Sequence, residues 1–95
     1  MEIEWDPEKS DRNVRLRRFD FAFASQIFEG EHLKEVDTRR EYGERRVRAI
    51  GLADGLLLTV VYTDRDSSDG GTVRRIISAR RSNKREREEF RRARG

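Results

Sequence analysis

The chain of 95 residues contains no cysteine, only one proline and only one histidine. The absence of cysteine excludes disulfide bonds and metal sites built from thiolates. Hydrophobic residues make up 34% of the chain, against roughly 45–50% in an average globular protein. No apolar run reaches the roughly 18 residues of a membrane span, and the acids near Met1 leave no apolar segment for a secretory signal. We therefore expect a cytoplasmic protein with a small core.

Charged residues, by contrast, make up 43% of the chain, and their signs are unevenly distributed. The net charge is −4 over residues 1–73 and +7 over residues 74–95. Arginine supplies 19 of the 22 basic residues, and its planar fork suits bidentate phosphate contacts and stacking on bases. A nucleic-acid ligand is therefore the first interpretation. A solvated arginine-rich surface, typical of a high-GC coding bias, is the alternative.

Apolar spacing predicts one α+β domain over residues 1–95, a small antiparallel sheet with N-terminal helices and a C-terminal helix. The alternation in Glu2–Trp5 predicts a short strand, and Asp6 followed by Pro7 predicts the start of a surface helix that runs to about Arg17. A second helix is predicted over Phe21–Glu29 from its apolar stripe. Further strands are predicted over His32–Thr38, Arg45–Leu52, Leu56–Thr63 and Thr72–Arg80, and a last helix over Asn83–Arg92.

Turn signals connect these strands into an antiparallel meander. Asp54-Gly55 is a strong hairpin signal, Gly43 predicts a turn or bulge within Arg40–Glu44, and Asp64–Gly71 reads as a solvated loop. Asn83 and Glu86 have the spacing of a capping box at the start of the last helix.

RNA cleavage is one chemistry that these residues could perform. It needs a base for the ribose 2′-hydroxyl, cations for the phosphorane and a proton for the leaving oxygen. Glu44 is the candidate base, and Arg46 projects with it because residues i and i+2 of a strand share a face. Arg48 continues that row. The competing interpretation is an ordinary surface ion pair of small energetic worth.

The strand Thr72–Arg80 carries the second group of arginines. Strict alternation places Arg74, Ile76, Ser78 and Arg80 on one face and Arg75, Ile77 and Ala79 on the other. Because Ile77 and Ala79 are expected in the core, Arg75 is either half-buried or displaced by a bulge. Tyr62 is more often the edge of a core than an acid.

Three motifs stand in a specific order along the chain. They are Trp5-Asp6-Pro7-x-Lys9 with Asn13, then Asp37-Thr38-Arg39-x-x-Tyr42-Gly43-Glu44-x-Arg46, and then Arg75-Ile76-Ile77-Ser78-Ala79-Arg80 with Asn83 and Glu86. Together they resemble the BrnT family, the toxin half of a bacterial type II toxin–antitoxin pair. The resemblance extends from Trp5 to Phe90.

The resemblance implies a RelE-like fold and an endoribonuclease, metal-independent and without cofactor, that inhibits translation and growth. It also implies neutralisation by a BrnA-like ribbon-helix-helix antitoxin in a heterotetramer, with operator DNA bound only through the antitoxin. Carried onto this chain, the catalytic positions are Glu44, Arg46, Arg75 and Arg80. Tyr62 is a weaker addition to this set. We further expect RNA-binding positions at Arg17, Arg48, Arg74, Arg81 and Tyr62.

One motif departs from the family pattern. After the asparagine the family usually has Lys-His-Gly, where this chain has Leu16-Arg17-Arg18. Arg17 retains a charge but cannot transfer a proton at neutral pH, as histidine does. The alternative to an active ribonuclease is therefore a weakened or inactive module that binds RNA or the antitoxin.

Overall fold

A five-stranded sheet in the order β1-β5-β4-β3-β2 carries the fold. The computed structural model describes residues 1–39, 41 and 43–95, so Arg40 and Tyr42, in the predicted turn and the quoted motif, lie outside the described residues. The strands are β1 (Glu2–Trp5), β2 (His32–Val36), β3 (Val47–Ala53), β4 (Leu56–Asp66) and β5 (Thr72–Arg81). The helices are α1 (Pro7–Arg17), α2 (Phe21–Ala24), which continues as a 3₁₀ helix over Ser25–Glu29, and α3 (Lys84–Arg94). The predicted α+β class is confirmed.

The strands β2 to β5 form the predicted antiparallel meander. The hairpin between β3 and β4 turns at Asp54 and Gly55, whose φ values of 48° and 82° are those that a tight two-residue hairpin needs. The strand β4 extends three residues beyond its prediction because its end stays paired, with Asp66 opposite Thr72. The predicted loop over Asp64–Gly71 is correspondingly shorter.

The first strand joins the sheet in a way that its own sequence does not reveal. It pairs in parallel with β5, with Ile3 opposite Arg74 and Trp5 opposite Ile76. Parallel neighbours need a long connection, and here the connection is the rest of the sheet together with α1 and α2. The sheet is therefore mostly, but not wholly, antiparallel.

A β-bulge in β5 overturns the predicted faces of that strand. Val61 pairs with Ser78, but the next residue, Tyr62, pairs with Ile76, so Ile77 is an extra residue. An extra residue shifts the alternation of side chains by one position. Ile76 and Ala79 consequently lie in the same core, 1% and 0% exposed.

The prediction that Arg74, Ile76, Ser78 and Arg80 share one face is therefore wrong. Arg74 and Ile76 lie on the face covered by α2, whereas Ser78 and Arg80 lie on the face covered by α3. The prediction failed because it assumed a regular pleat, and the bulge depends on the pairing with β4.

The sheet is covered on both faces. Phe21, Ala24 and Ile27 pack against Val60 and Ala79 on one side, which we call the core face. On the other side, which we call the cleft face, Phe90 anchors α3 and is buried. The predicted helix over Phe21–Glu29 is confirmed in position, although its second half is a 3₁₀ helix. Within the described residues, no helix is long and apolar enough to cross a membrane.

The end of α1 is strained at Arg18, which adopts φ 72° while its N–H donates to the Val14 carbonyl at 3.0 Å. A side chain in this left-handed conformation costs about 1–2 kcal/mol, which glycine avoids. Allowing for the greater freedom of glycine in the unfolded chain, we expect Arg18→Gly to stabilise the protein by about 0.5–1 kcal/mol. Urea denaturation measures this, with Arg12→Gly in the middle of α1 as a control that should destabilise. Equal losses in both variants would contradict the cap assignment.

Candidate functional site

A cleft of about 500 Å³ opens on the cleft face beside the bulge. We call it the central cleft. Its walls come from α1, from the segment between β2 and β3, from β4 and from β5, and its lining residues are Lys9, Asp37, Arg39, Arg46, Val61, Ile77 and Ser78. The bulge contributes to the cleft directly, because both the extra residue, Ile77, and its neighbour Ser78 line the floor. Bulges next to functional sites commonly redirect side chains in this way.

Glu44 and Arg46 lie together at the edge of the central cleft. The Arg46 Nε donates to the Glu44 Oε2 at 3.1 Å, with the carboxylate more exposed than the guanidinium. The backbone of Arg46 is held in place, since its carbonyl accepts from the Asp37 N–H at 2.8 Å. A second cleft, of about 570 Å³, surrounds Gly43, Glu44 and Arg46. The pattern Glu-x-Arg thus places a carboxylate and a guanidinium at one accessible site.

Asp37 holds Arg39 over the same cleft. The Asp37 side chain is 2% exposed, and its two oxygens accept from the Arg39 Nε and Nη2 at 2.9 and 2.8 Å. The Arg39 side chain remains 67% exposed at the rim. Both residues belong to the motif that begins at Asp37, and their i, i+2 spacing is a signal from which the pair could have been predicted.

Arg80 and Arg48 converge on Glu86 at the start of α3. The Arg80 guanidinium donates to both Glu86 oxygens at 2.7 and 2.8 Å, and the Arg48 Nη1 donates to Oε2 at 2.7 Å. Arg48 also pairs with Glu35. The Glu86 carboxylate further accepts from the Asn83 N–H at 2.8 Å, which confirms the predicted capping box. Arg48 and Arg80 line a third cleft, of about 620 Å³, between α3 and residues 35–39.

The Glu86 carboxylate is 3% exposed and stays ionised far into the acid range. Burial acts to raise the pKa of Glu86, but the hydrogen bonds from Arg80 and from the Asn83 backbone outweigh it. They lower the pKa from its ordinary 4.5 to about 2. This carboxylate therefore fixes two of the predicted site arginines in place.

Arg75 lies on the cleft face but towards the far end of β5. It lies five positions before Arg80 in β5, a distance of roughly 16 Å along an extended strand. Its Nη1 donates to the Glu4 carboxylate at 3.0 Å, and Arg65 binds the same carboxylate. The hydrogen bonds from Arg65 and Arg75 lower the pKa of Glu4. Arg75 is thus accessible but lies outside the central cleft.

Arg74 and Tyr62 lie on the core face, on the other side of the sheet. Arg74 is 8% exposed, donates to both Asp64 oxygens at 2.8 and 2.9 Å, and stacks 4.0 Å from the centre of the Tyr62 ring. Burial raises the pKa of Tyr62 against the opposing effect of the Arg74 charge. These contacts give both residues a structural role.

Arg17 and Arg81 also lie on the core face. The Arg17 Nη1 donates to the Asn13 Oδ1 at 3.0 Å and to the Ala79 carbonyl at 3.2 Å, and thereby joins α1 to β5. Arg81 pairs opposite the buried Leu58. The structure therefore brings Glu44 and Arg46 together, places Arg48 and Arg80 nearby, and separates Arg17, Arg74, Arg81 and Tyr62 from them.

Comparison with known proteins gives one family. The family model described as the ribonuclease toxin, BrnT, of a type II toxin–antitoxin system matches residues 5–86. No curated protein matches the chain. The matched segment includes every wall of the central cleft. It also includes Glu86, at the start of α3.

Proposed function

The chain belongs to the BrnT family of ribonuclease toxins of type II toxin–antitoxin systems, and from this premise we propose that it is a metal-independent endoribonuclease. Glu44 and Arg46 at the edge of the central cleft would carry the reaction. The observation that supports this most directly is their contact, in which a carboxylate lies next to a guanidinium at an accessible cleft.

In the proposed reaction, the ribose 2′-oxygen attacks the adjacent phosphorus while the Glu44 carboxylate accepts the proton of the 2′-hydroxyl. The Arg46 guanidinium stabilises the charge that develops on the phosphorane oxygens. The bond to the 5′-oxygen then breaks, and this oxygen takes a proton from water. The products are a 2′,3′-cyclic phosphate and a free 5′-hydroxyl.

The remaining arginines of the cleft face would hold the RNA backbone. Arg80 keeps part of its guanidinium exposed while Glu86 fixes its orientation, and Arg48 supports that arrangement from β3. Arg75, at the far end of β5, is placed for a phosphate several nucleotides from the reacting bond. The fork of each guanidinium suits bidentate contact with phosphate.

The family implies an antitoxin and an RNA substrate. We propose that the antitoxin is BrnA-like, forms a heterotetramer with the toxin and carries the operator-binding part, and that translation stops because mRNA is cut in the cytoplasm. The exposed arginines of α3, such as Arg85, favour an antitoxin segment that is acidic.

Induction of this chain alone is expected to arrest growth, and coexpression of its antitoxin is expected to relieve the arrest. The purified chain should cleave single-stranded RNA in the presence of a chelator, because Glu44 and Arg46 supply the base and the charge. Growth curves and gel analysis of the RNA measure the two effects. Cleavage that appears only after a divalent metal is added would contradict the metal-independent mechanism.

A second function, binding without cleavage, is favoured by the contacts of Arg17. This residue occupies the position that the resemblance gives to a histidine, and it joins α1 to β5 instead of facing the central cleft. A chain that binds RNA or antitoxin tightly but never cuts RNA would support this function. RNA cleavage by the parent protein that is lost in Glu44→Gln would exclude binding without cleavage.

A further inference from the structure

Lys9 is a charged residue at the central cleft to which the proposed reaction gives no role. It lies on the first turn of α1, is exposed, and lines the cleft. Its ammonium group makes no hydrogen bond or ion pair within the part of the chain that the structure describes. A cation at a cleft without an acidic partner is available to an anionic ligand.

Arg39 supplies a second cation to the same cleft. Its side chain is held by the buried Asp37, so the position of the guanidinium is fixed before any ligand arrives. Two cations thus come from separate segments, α1 and the chain after β2. Lysine binds phosphate as a point charge, and the Arg39 guanidinium, whose Nε–Nη2 edge donates to Asp37, adds a second positive charge at the cleft.

The floor of the cleft between Lys9 and Arg39 is uncharged. Val61 and Ile77 offer apolar surface, and Ser78 adds one hydroxyl. Apolar surface suits the face of a base, and a hydroxyl suits a base edge or a ribose oxygen. The volume of about 500 Å³ falls within the range of roughly 300–1,000 Å³ that is usual for small-ligand sites.

We propose that the central cleft is a subsite for one unpaired nucleotide of single-stranded RNA. Lys9 and Arg39 contact the phosphates on either side of that nucleotide, and its base lies on Val61 and Ile77. This inference rests on the proposed function for the identity of the polymer. Bases within a duplex are stacked and cannot enter such a cleft, whereas single strands are commonly recognised through splayed bases.

Binding of a fluorescent single-stranded RNA oligomer with 2′-O-methyl riboses tests the proposal, because the modified ribose has no hydroxyl with which to attack. Lys9→Gln should raise the Kd about tenfold, the effect of one charge-assisted contact. It should also reduce the slope of log K against log salt by about 0.7, the change expected when one phosphate contact to a single strand is lost. Lys9→Arg should retain most of the affinity.

The matched control is Lys34→Gln, which removes the same charge from an exposed residue of β2 that pairs opposite the core residue Ala49. Equal affinities and salt slopes for Lys9→Gln and Lys34→Gln would overturn the subsite, even if the parent protein cleaves RNA. If Lys9→Gln binds the oligomer more weakly but the parent protein never cleaves RNA, the subsite is supported and the proposed catalysis is contradicted. Equal affinity for the oligomer and for its duplex would also overturn the proposal.

Discussion

Arg46→Ala is expected to lower the rate of RNA cleavage at least about 100-fold, the usual cost of removing a group that stabilises a developing oxyanion. Arg46 is the residue for which the structure makes the strongest case, because it contacts Glu44 and lines both the central cleft and the cleft around Glu44. Single-turnover cleavage of a labelled oligomer measures the loss. Thermal unfolding of the same variant distinguishes a loss of the reaction from a loss of folding.

Two further variants separate charge from geometry. Arg46→Lys keeps the charge but loses the planar fork, so it should recover only part of the rate. Arg15→Ala removes an exposed arginine of α1 and should cleave at the parental rate. An Arg46→Ala protein that folds normally and cleaves as fast as the parent would mean that the reaction takes place elsewhere.

Glu86→Gln is expected to destabilise the protein by about 2–3 kcal/mol, because it leaves Arg48 and Arg80 close together without the carboxylate between them. A glutamine can still accept from the Asn83 N–H in the capping box of α3, so the loss reports the missing negative charge between the two arginines. For a domain of this size, such a loss corresponds to a melting temperature lower by roughly 10–20 °C. Glu88→Gln is the control, since Glu88 is an exposed residue of the same helix.

The low pKa of Glu86 also predicts how the free energy of unfolding falls in acid. Because the pKa of Glu86 is about 2 in the folded protein and near 4.5 ordinarily, folding favours the ionised form. The stability that this provides is complete above about pH 4.5 and is lost as the pH falls towards 2. Urea titrations across this range should show the loss in the parent and in Glu88→Gln, but a much smaller one in Glu86→Gln. Parallel pH profiles for all three proteins would contradict the assignment.

Local signals in the sequence predicted the elements of this fold well. The N-cap at Asp6, the hairpin turn at Asp54 and the capping box at Asn83 each depend on residues a few positions apart. They are all confirmed. The Glu44–Arg46 contact was predicted from the shared face of a strand, but β3 begins only at Val47, so the contact joins two residues that precede the strand.

Features that depend on distant partners were not predictable from local patterns. The bulge at Ile77 follows from how β4 and β5 pair, and it reversed the predicted relation between Arg74 and Arg80. The capping role of Glu86 was visible in the sequence, but its pairing with Arg48, 38 residues away, was not. Because the bulge was not predicted, the central cleft and its floor of Ile77 and Ser78 were not predicted either.

The parallel pairing of β1 with β5 has a consequence for when activity can arise during synthesis. The strand β1 has no partner until residues 73–76 have been translated, and the cleft combines Lys9 with Ile77 and Ser78, which follow it by more than 60 residues. A nascent chain that has not yet reached these residues lacks the floor of its own cleft. A chain that stops before β5 should therefore be unable to bind a ligand in this cleft.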